Sequence, residues 1–153
     1  MNRIAQFFLI AAMSATLSGV AVAQSTAAPS MNAESSDELF QSFGGKAGIS
    51  KVIDDFLAIW QADPRIAKRL TDADVERLGF MLKEQITYLT GGPAKYSGKD
   101  MKTAHDGMDI RNVEFNALAE DLQLSMEKNG ISSRAQNKLL AKLAPMQRDI
   151  VTK

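Results

Sequence analysis

The chain has 153 residues, with 18 lysines plus arginines balanced by 18 aspartates plus glutamates, one histidine and no cysteine. Nothing in that balance suggests the basic patch by which a nucleic-acid binder neutralises phosphates, and that class is set aside. Without cysteine there is no disulfide staple, thiolate metal site, thioether-linked cofactor or lipidated N-terminal cysteine, and one histidine is too few for a protein-only zinc site.

Arg3, the nearly uncharged apolar run from Ile4 to Leu17 and the small residues Ala21-Val22-Ala23 read in order as the three parts of a secretory signal peptide over residues 1–23. The mature chain is then expected to start near Gln24, in the periplasm or secreted. Gln6, Ser14, Thr16, Ser18 and Gly19 interrupt the run and no polybasic flank follows it, so stable membrane insertion of the mature chain is not expected. Residues 24–36 are rich in Ser and Ala, contain Pro29 and lack apolar periodicity; they read as a disordered leader. Residues 37–153 have the size of a single domain.

Within that domain Ile49, Val52, Ile53, Phe56, Leu57 and Trp60 recur at the spacing of a helix with one broad buried face, ending near Asp63-Pro64. Val75, Leu78, Leu82, Ile86 and Leu89 predict a second helix, entered through Thr71 or Asp72 and stopped by Gly91-Gly92-Pro93. Met101, His105 and Met108 predict a short helix closed near Gly107. Asn112 is the expected cap of a third long helix carrying Phe115, Leu118, Ala119, Leu122 and Met126 and stopped at Asn129-Gly130. Ser133 with Gln136 reads as a capping box for a last helix through Leu139, Leu140, Leu143, Met146 and Ile150, kinked at Pro145. No stretch alternates with period two, so the expected class is all-α.

Several local patterns occur in a fixed order: Phe43-Gly44-Gly45, Asp54-Asp55-Phe56, Ala62-Asp63-Pro64, Gly91-Gly92-Pro93 with Tyr96 and Gly98, then Met101-Lys102, Ala104-His105, Gly107 and Ile110. Together, over about Leu39 to Val151, they resemble the group I truncated haemoglobins. That resemblance implies a two-over-two helical sandwich around haem b, with His105 as the proximal iron ligand. A neutral imidazole suits iron and the porphyrin supplies the in-plane nitrogens, so one histidine suffices. By its residues alone His105 is equally an ordinary helix position packed between Met101 and Met108.

The resemblance also sets Leu70, Leu78, Leu82, Ile86, Tyr96, Met101, Ile110, Phe115, Leu118, Leu122 and Leu143 around the porphyrin; helical spacing does not separate such lining from plain core. Lys95, Lys99 and Lys102 fall near the expected rim, as propionate partners or as solvated lysines. On the distal side, beside Phe56, this sequence has Leu57 where the family usually places a tyrosine, and Leu70 where globins generally place a phenylalanine. Leu78 and Leu82 add hydrocarbon, leaving Gln85 as the one nearby polar residue. Met81 matches a position where some related globins carry a sixth iron ligand; a methionine there is either such a ligand or core filling.

The expectation is a protein that binds a diatomic gas reversibly, oxygen, carbon monoxide or nitric oxide, rather than a dedicated enzyme. A hydrogen bond to bound oxygen is worth about 1.5 to 3 kcal/mol, so a pocket without a donor should release oxygen fast. The alternatives are a redox haem protein with a partner in the periplasm, and a globin-shaped interaction module without haem.

Overall fold

Residues 31–70 and 75–153 are described in the computed structural model of the chain. The expected signal peptide, the first part of the leader and the expected cap at Thr71 or Asp72 lie outside them. Among the described residues every regular element is helical.

The apolar stripe from Ile49 to Trp60 forms α2, Gly45–Ala62, with Ile49, Val52, Ile53, Phe56 and Leu57 buried. Asp63 terminates it in extended geometry and Pro64 follows. A single helical turn, Ala67–Arg69, then leads to Leu70. Ahead of α2 lies α1, Met31–Ser42, joined to it through Gly44, whose φ of 76° lies in the left-handed region that glycine adopts without a Cβ penalty. The α1 backbone starts inside the stretch expected as leader: Leu39 and Phe40 on it, with Phe43 just after it, bury an apolar face against the core, and the helix extends upstream.

The second periodic segment is α3, Val75–Leu89, stopped as expected at Gly91, whose φ is 88°. The third is α5, Asn112–Lys128, ended at Asn129-Gly130 with Gly130 at φ 70°. The fourth is α6, Ser133–Leu143, which passes into a 3-10 turn, Ala144–Met146, at Pro145 and then into α7, Gln147–Ile150. Proline lacks the amide hydrogen that a continuous helix needs, and the tighter turn follows.

Two caps fall one residue earlier than expected. Arg111, not Asn112, is the N-cap of α5, where the Glu114 carboxylate accepts its backbone amide at 3.0 Å. Ser132, not Ser133, caps α6, its hydroxyl accepting from the Ala135 amide at 3.3 Å, while Gln136 donates to the Ile131 carbonyl. Either serine is a suitable cap residue, but only Ser133 has a Gln three residues on; extended backbone geometry at Ser132 selects it as the cap instead.

The long helices pack in sequence on one another: α2 lies against both α3 and α5, and α6 packs on α5. Ile49, Val52, Ala117, Met126 and Leu139 are fully buried where these helices meet. Burying each large aliphatic side chain there stabilises by about 1.5–3 kcal/mol. Gly79 allows the α2–α3 approach: a Cβ at that position would lie 3.1 Å from Leu57 Cδ1. Lys83 pairs with Asp54 at 2.6 Å, and Lys128 and Asn129 both engage Asp55, fixing the register of α2 against its neighbours.

Candidate functional site

Packing is incomplete on one side of this sandwich. Leu78, Met81 and Leu82 on α3, and Phe115 and Leu118 on α5, are apolar yet only half-buried. They face a cavity of about 800 Å³ between α3, α5 and the chain from Tyr96 to Ile110. Its size falls within the about 300–1,000 Å³ range of pockets for small ligands and cofactors. A large apolar ligand would remove that hydrocarbon surface from water.

One imidazole faces this space. His105 lies on the cavity wall, and its Nδ1 is 2.8 Å from the Met101 carbonyl oxygen. A carbonyl only accepts, so Nδ1 is the donor here, and in the neutral imidazole Nε2 keeps its lone pair. That is the arrangement by which a second partner fixes the tautomer of a metal-binding histidine. The short helix before it is α4, Met101–Ala104, four residues long. Asp100 starts α4 by accepting the Thr103 amide at 2.9 Å and its hydroxyl at 2.7 Å, contacts that hold the Asp100 carboxyl below its ordinary value. The helix expected to run past His105 ends before it: His105 is the C-cap, with ψ of 8°, and the chain continues as a loop through Asp109, whose φ is 52°.

Most expected pocket residues do line the cavity: Leu70, Leu78, Leu82, Ile86, Tyr96, Met101, Ile110, Phe115, Leu118, Leu122 and Leu143, with Phe56, Met81, Gln85 and His105. Leu57 is not on the wall. Consecutive helix positions point about 100° apart; Phe56 turns to the cavity with Ile53 and Trp60, and Leu57 turns to Gly79. Lys102 is also not on the wall: it lies on the exposed side of α4. Of the three lysines considered for the rim, Lys99 lines the cavity and Lys95 does not.

Sequence reasoning missed Arg69, Arg77, Met108, Glu114, Ala144, Met146 and Ile150, all on the wall. Arg77 was legible as the residue before Leu78 on an amphipathic helix, at the edge of its apolar face. Arg69 and Glu114 were not, because their partnership spans 45 positions. Arg69 Nε donates to Glu114 Oε1 at 2.8 Å and Nη2 to Oε2 at 3.0 Å. That fork, with the Arg111 amide and side chain, brings the Glu114 carboxyl down from 4.5 to about 2. Tyr96 moves the other way: burial and then the negative charges of Glu84 and Asp100 push its phenol up, so it stays protonated.

Gln85, the expected polar group of the distal side, is buried, and its amide nitrogen faces two thioethers, Met101 Sδ at 3.5 Å and Met146 Sδ at 3.8 Å. Sulfur is a weak acceptor, so the amide is held but not strongly satisfied. Among the described residues one buried side-chain oxygen lacks a partner, Asp121 Oδ2. Burial, ahead of the nearby Asp63 charge, pushes its carboxyl up, but Asp121 is not on the cavity wall. No cluster of three or more His, Cys, Asp or Glu that could hold a metal occurs among the described residues.

An all-helical sandwich enclosing a hydrocarbon cavity with one tautomer-fixed imidazole on its wall is the architecture of a globin. Residues 38–152 match the family model described as bacterial-like globin, and the chain belongs to that family, among the truncated haemoglobins. It is similar to the group 1 truncated haemoglobin of Tetrahymena thermophila, 30% identical over 96 residues that cover 63% of this chain and 79% of the relative. The crystal structure of truncated haemoglobin from Tetrahymena pyriformis in its Fe(III) form superposes with a TM-score of 0.72 at 25% identity, covering 75% of this chain and 98% of that one. A two-over-two haemoglobin from Synechococcus sp. PCC 7002, at 22% identity and TM-score 0.69, shares the fold over the same share of this chain.

Proposed function

We propose that this globin holds haem b in its 800 Å³ cavity, with His105 Nε2 as the protein ligand to iron, and binds a small diatomic gas reversibly. The observation that carries the reading is His105 Nδ1 against the Met101 carbonyl, at 2.8 Å, on the wall of a cavity lined mainly by apolar side chains. Haem, when bound, would supply an iron able to take up a diatomic gas. The chain's own residues do the rest. Met101 orients the imidazole, and the leucines of α3 and α5 exclude water. Arg77, Lys99 and the protonated Tyr96 hydroxyl lie on the same wall, suited to receive carboxylate groups.

The distal wall offers little to a polarised ligand. Leu78 and Leu82 carry no donor, and the Gln85 amide faces the two thioethers. Carbon monoxide and nitric oxide, which gain less from a hydrogen bond than oxygen does, are therefore favoured relative to oxygen. Carbon monoxide binding and oxygen release by flash photolysis and stopped flow test this reading. Fast release of oxygen with ready uptake of carbon monoxide is expected; slow oxygen release would overturn the account of a distal side, at Leu78 and Leu82, without a free donor.

A redox role is the second reading, favoured by one observation: Met81 lines the cavity on the α3 side. A thioether bound to iron there would make the ferric protein six-coordinate, and Met81→Ala would then speed carbon monoxide uptake. Export is likewise our proposal, drawn from residues 1–23; N-terminal sequencing of the fractionated native protein tests it, with a start near Gln24 expected. Among the described residues no helix is long and apolar enough to cross a membrane.

A further inference from the structure

We infer that Arg69 is a positioning residue for the haem ligand: its guanidinium braces the loop after His105 against the segment that follows α2 and so controls how firmly haem is held. This rests on the haem-binding reading above.

The need for a brace comes from the local structure. His105 caps a four-residue helix and is followed by a loop, residues 106–111, with no helical backing. Inside it the Met108 amide donates to the His105 carbonyl at 3.2 Å. Asp109, at φ 52°, sits in the left-handed region that an L side chain rarely adopts, and surrounding contacts must hold it there.

Two sets of contacts do so. From the chain end, the Thr152 and Lys153 amides donate to the Ile110 carbonyl at 3.0 and 3.2 Å, and Lys153 Nζ pairs with Asp109 Oδ2 at 2.7 Å. From the segment after α2, Arg69 Nη1 donates to the Met108 carbonyl at 2.7 Å and Nη2 reaches the Asp109 carbonyl at 3.4 Å. The same guanidinium forks onto Glu114, a residue 8% exposed whose Oε2 also accepts the Arg111 amide. Arg69 directly precedes Leu70, which lines the cavity. One side chain thus joins two segments bordering the cavity and fixes the spacing between Leu70 and the loop that starts at His105. Lysine has the charge but not the planar fork that satisfies a carboxylate and backbone carbonyls at once.

A plain structural role for the pair would be to cap α5, but Glu114 caps it through the Arg111 amide without Arg69. Arg69→Met therefore separates brace from cap. In the full chain loaded with haem, transfer to excess apomyoglobin should be faster in Arg69→Met, by up to the roughly tenfold at which loss of a metal ligand's direct hydrogen-bond partner begins, because Arg69 acts through the loop and not on the imidazole itself. The iron–histidine stretching frequency should shift, and Arg69→Lys should restore part of both. In the haem-free protein, amide exchange should rise across residues 106–111 while α5 stays protected. If Arg69→Met fails to fold, Arg69→Gln, which stays polar but lacks the guanidinium that joins Met108, Asp109 and Glu114, carries the same test. Unchanged transfer rate and frequency in a folded variant, or lost stability with an unchanged frequency, would overturn the brace alone. Failure of the unsubstituted chain to take up haem would overturn the haem reading and the inference with it.

Discussion

The wall contributed by α3 and the wall contributed by the chain around His105 are built by different means. Leu78, Met81 and Leu82 are carried on a fifteen-residue helix whose other face is fixed against α2, and their positions follow from packing. His105 sits at the end of a four-residue helix, placed by the Asp100 cap, the Met101 carbonyl and the loop contacts of Arg69, Thr152 and Lys153. A surface that has only to exclude water can be set by hydrophobic periodicity, which tolerates small shifts. A nitrogen that has to reach one point needs directional contacts, and those come from residues far apart in sequence.

The largest effect should come from breaking the second wall at its centre. His105→Gly removes the imidazole, and among the described residues no other histidine or cysteine exists to replace it; haem affinity should fall at least about a hundredfold, beyond the range for outer-shell partners. Added imidazole should restore much of the spectrum, and equal affinity in the variant would remove His105 from its role.

Breaking the α2 support behind the first wall should cost stability before it costs ligation. Ile53→Ala, at a position 1% exposed beside the cavity, should destabilise the fold by about 2–5 kcal/mol in denaturant titration while the iron–histidine frequency stays put. A loss well under 1 kcal/mol would mean that the α2 face is not the packed support described.

A donor placed on the first wall should sharpen the contrast. Leu82→Gln should slow oxygen release by roughly tenfold, the equivalent of about 1–2 kcal/mol, and change carbon monoxide release less. Equal effects on both gases would point to steric blockage instead.

The smallest effect concerns acid. The Glu114 carboxyl lies at about 2 in the fold against an ordinary 4.5, so its contribution is full above about 4.5 and is lost as pH falls toward about 2. Thermal melts of the haem-free protein over that interval should therefore flatten in Glu114→Gln relative to the unsubstituted chain.

The same division explains what was legible. Periodic apolar residues define α2, α3, α5 and α6 and most of the cavity wall, because a helix repeats every 3.6 residues whatever it packs against. The misplacements are local choices that tertiary contacts decide. Met101, His105 and Met108 fit a helix, but the chain leaves helical geometry at His105 to pass through Asp109. Leu57 and Phe56 are neighbours in one apolar stripe, and Gly79 accepts the leucine while the phenylalanine lines the cavity. Lys102 looked suited to the rim, yet the turn of α4 exposes it and Arg77 lies on the wall instead. The Arg69–Glu114 fork leaves no periodic trace at all.

The central claim is that the His105 imidazole, proton on Nδ1, presents Nε2 to a haem iron. Resonance Raman spectroscopy of the ferrous protein reconstituted with haem and free of gas tests it most directly. The account predicts an iron–histidine stretching band that disappears in His105→Gly and returns, shifted, on addition of imidazole. A band that survives the substitution unchanged, or a protein that takes up no haem, would contradict it.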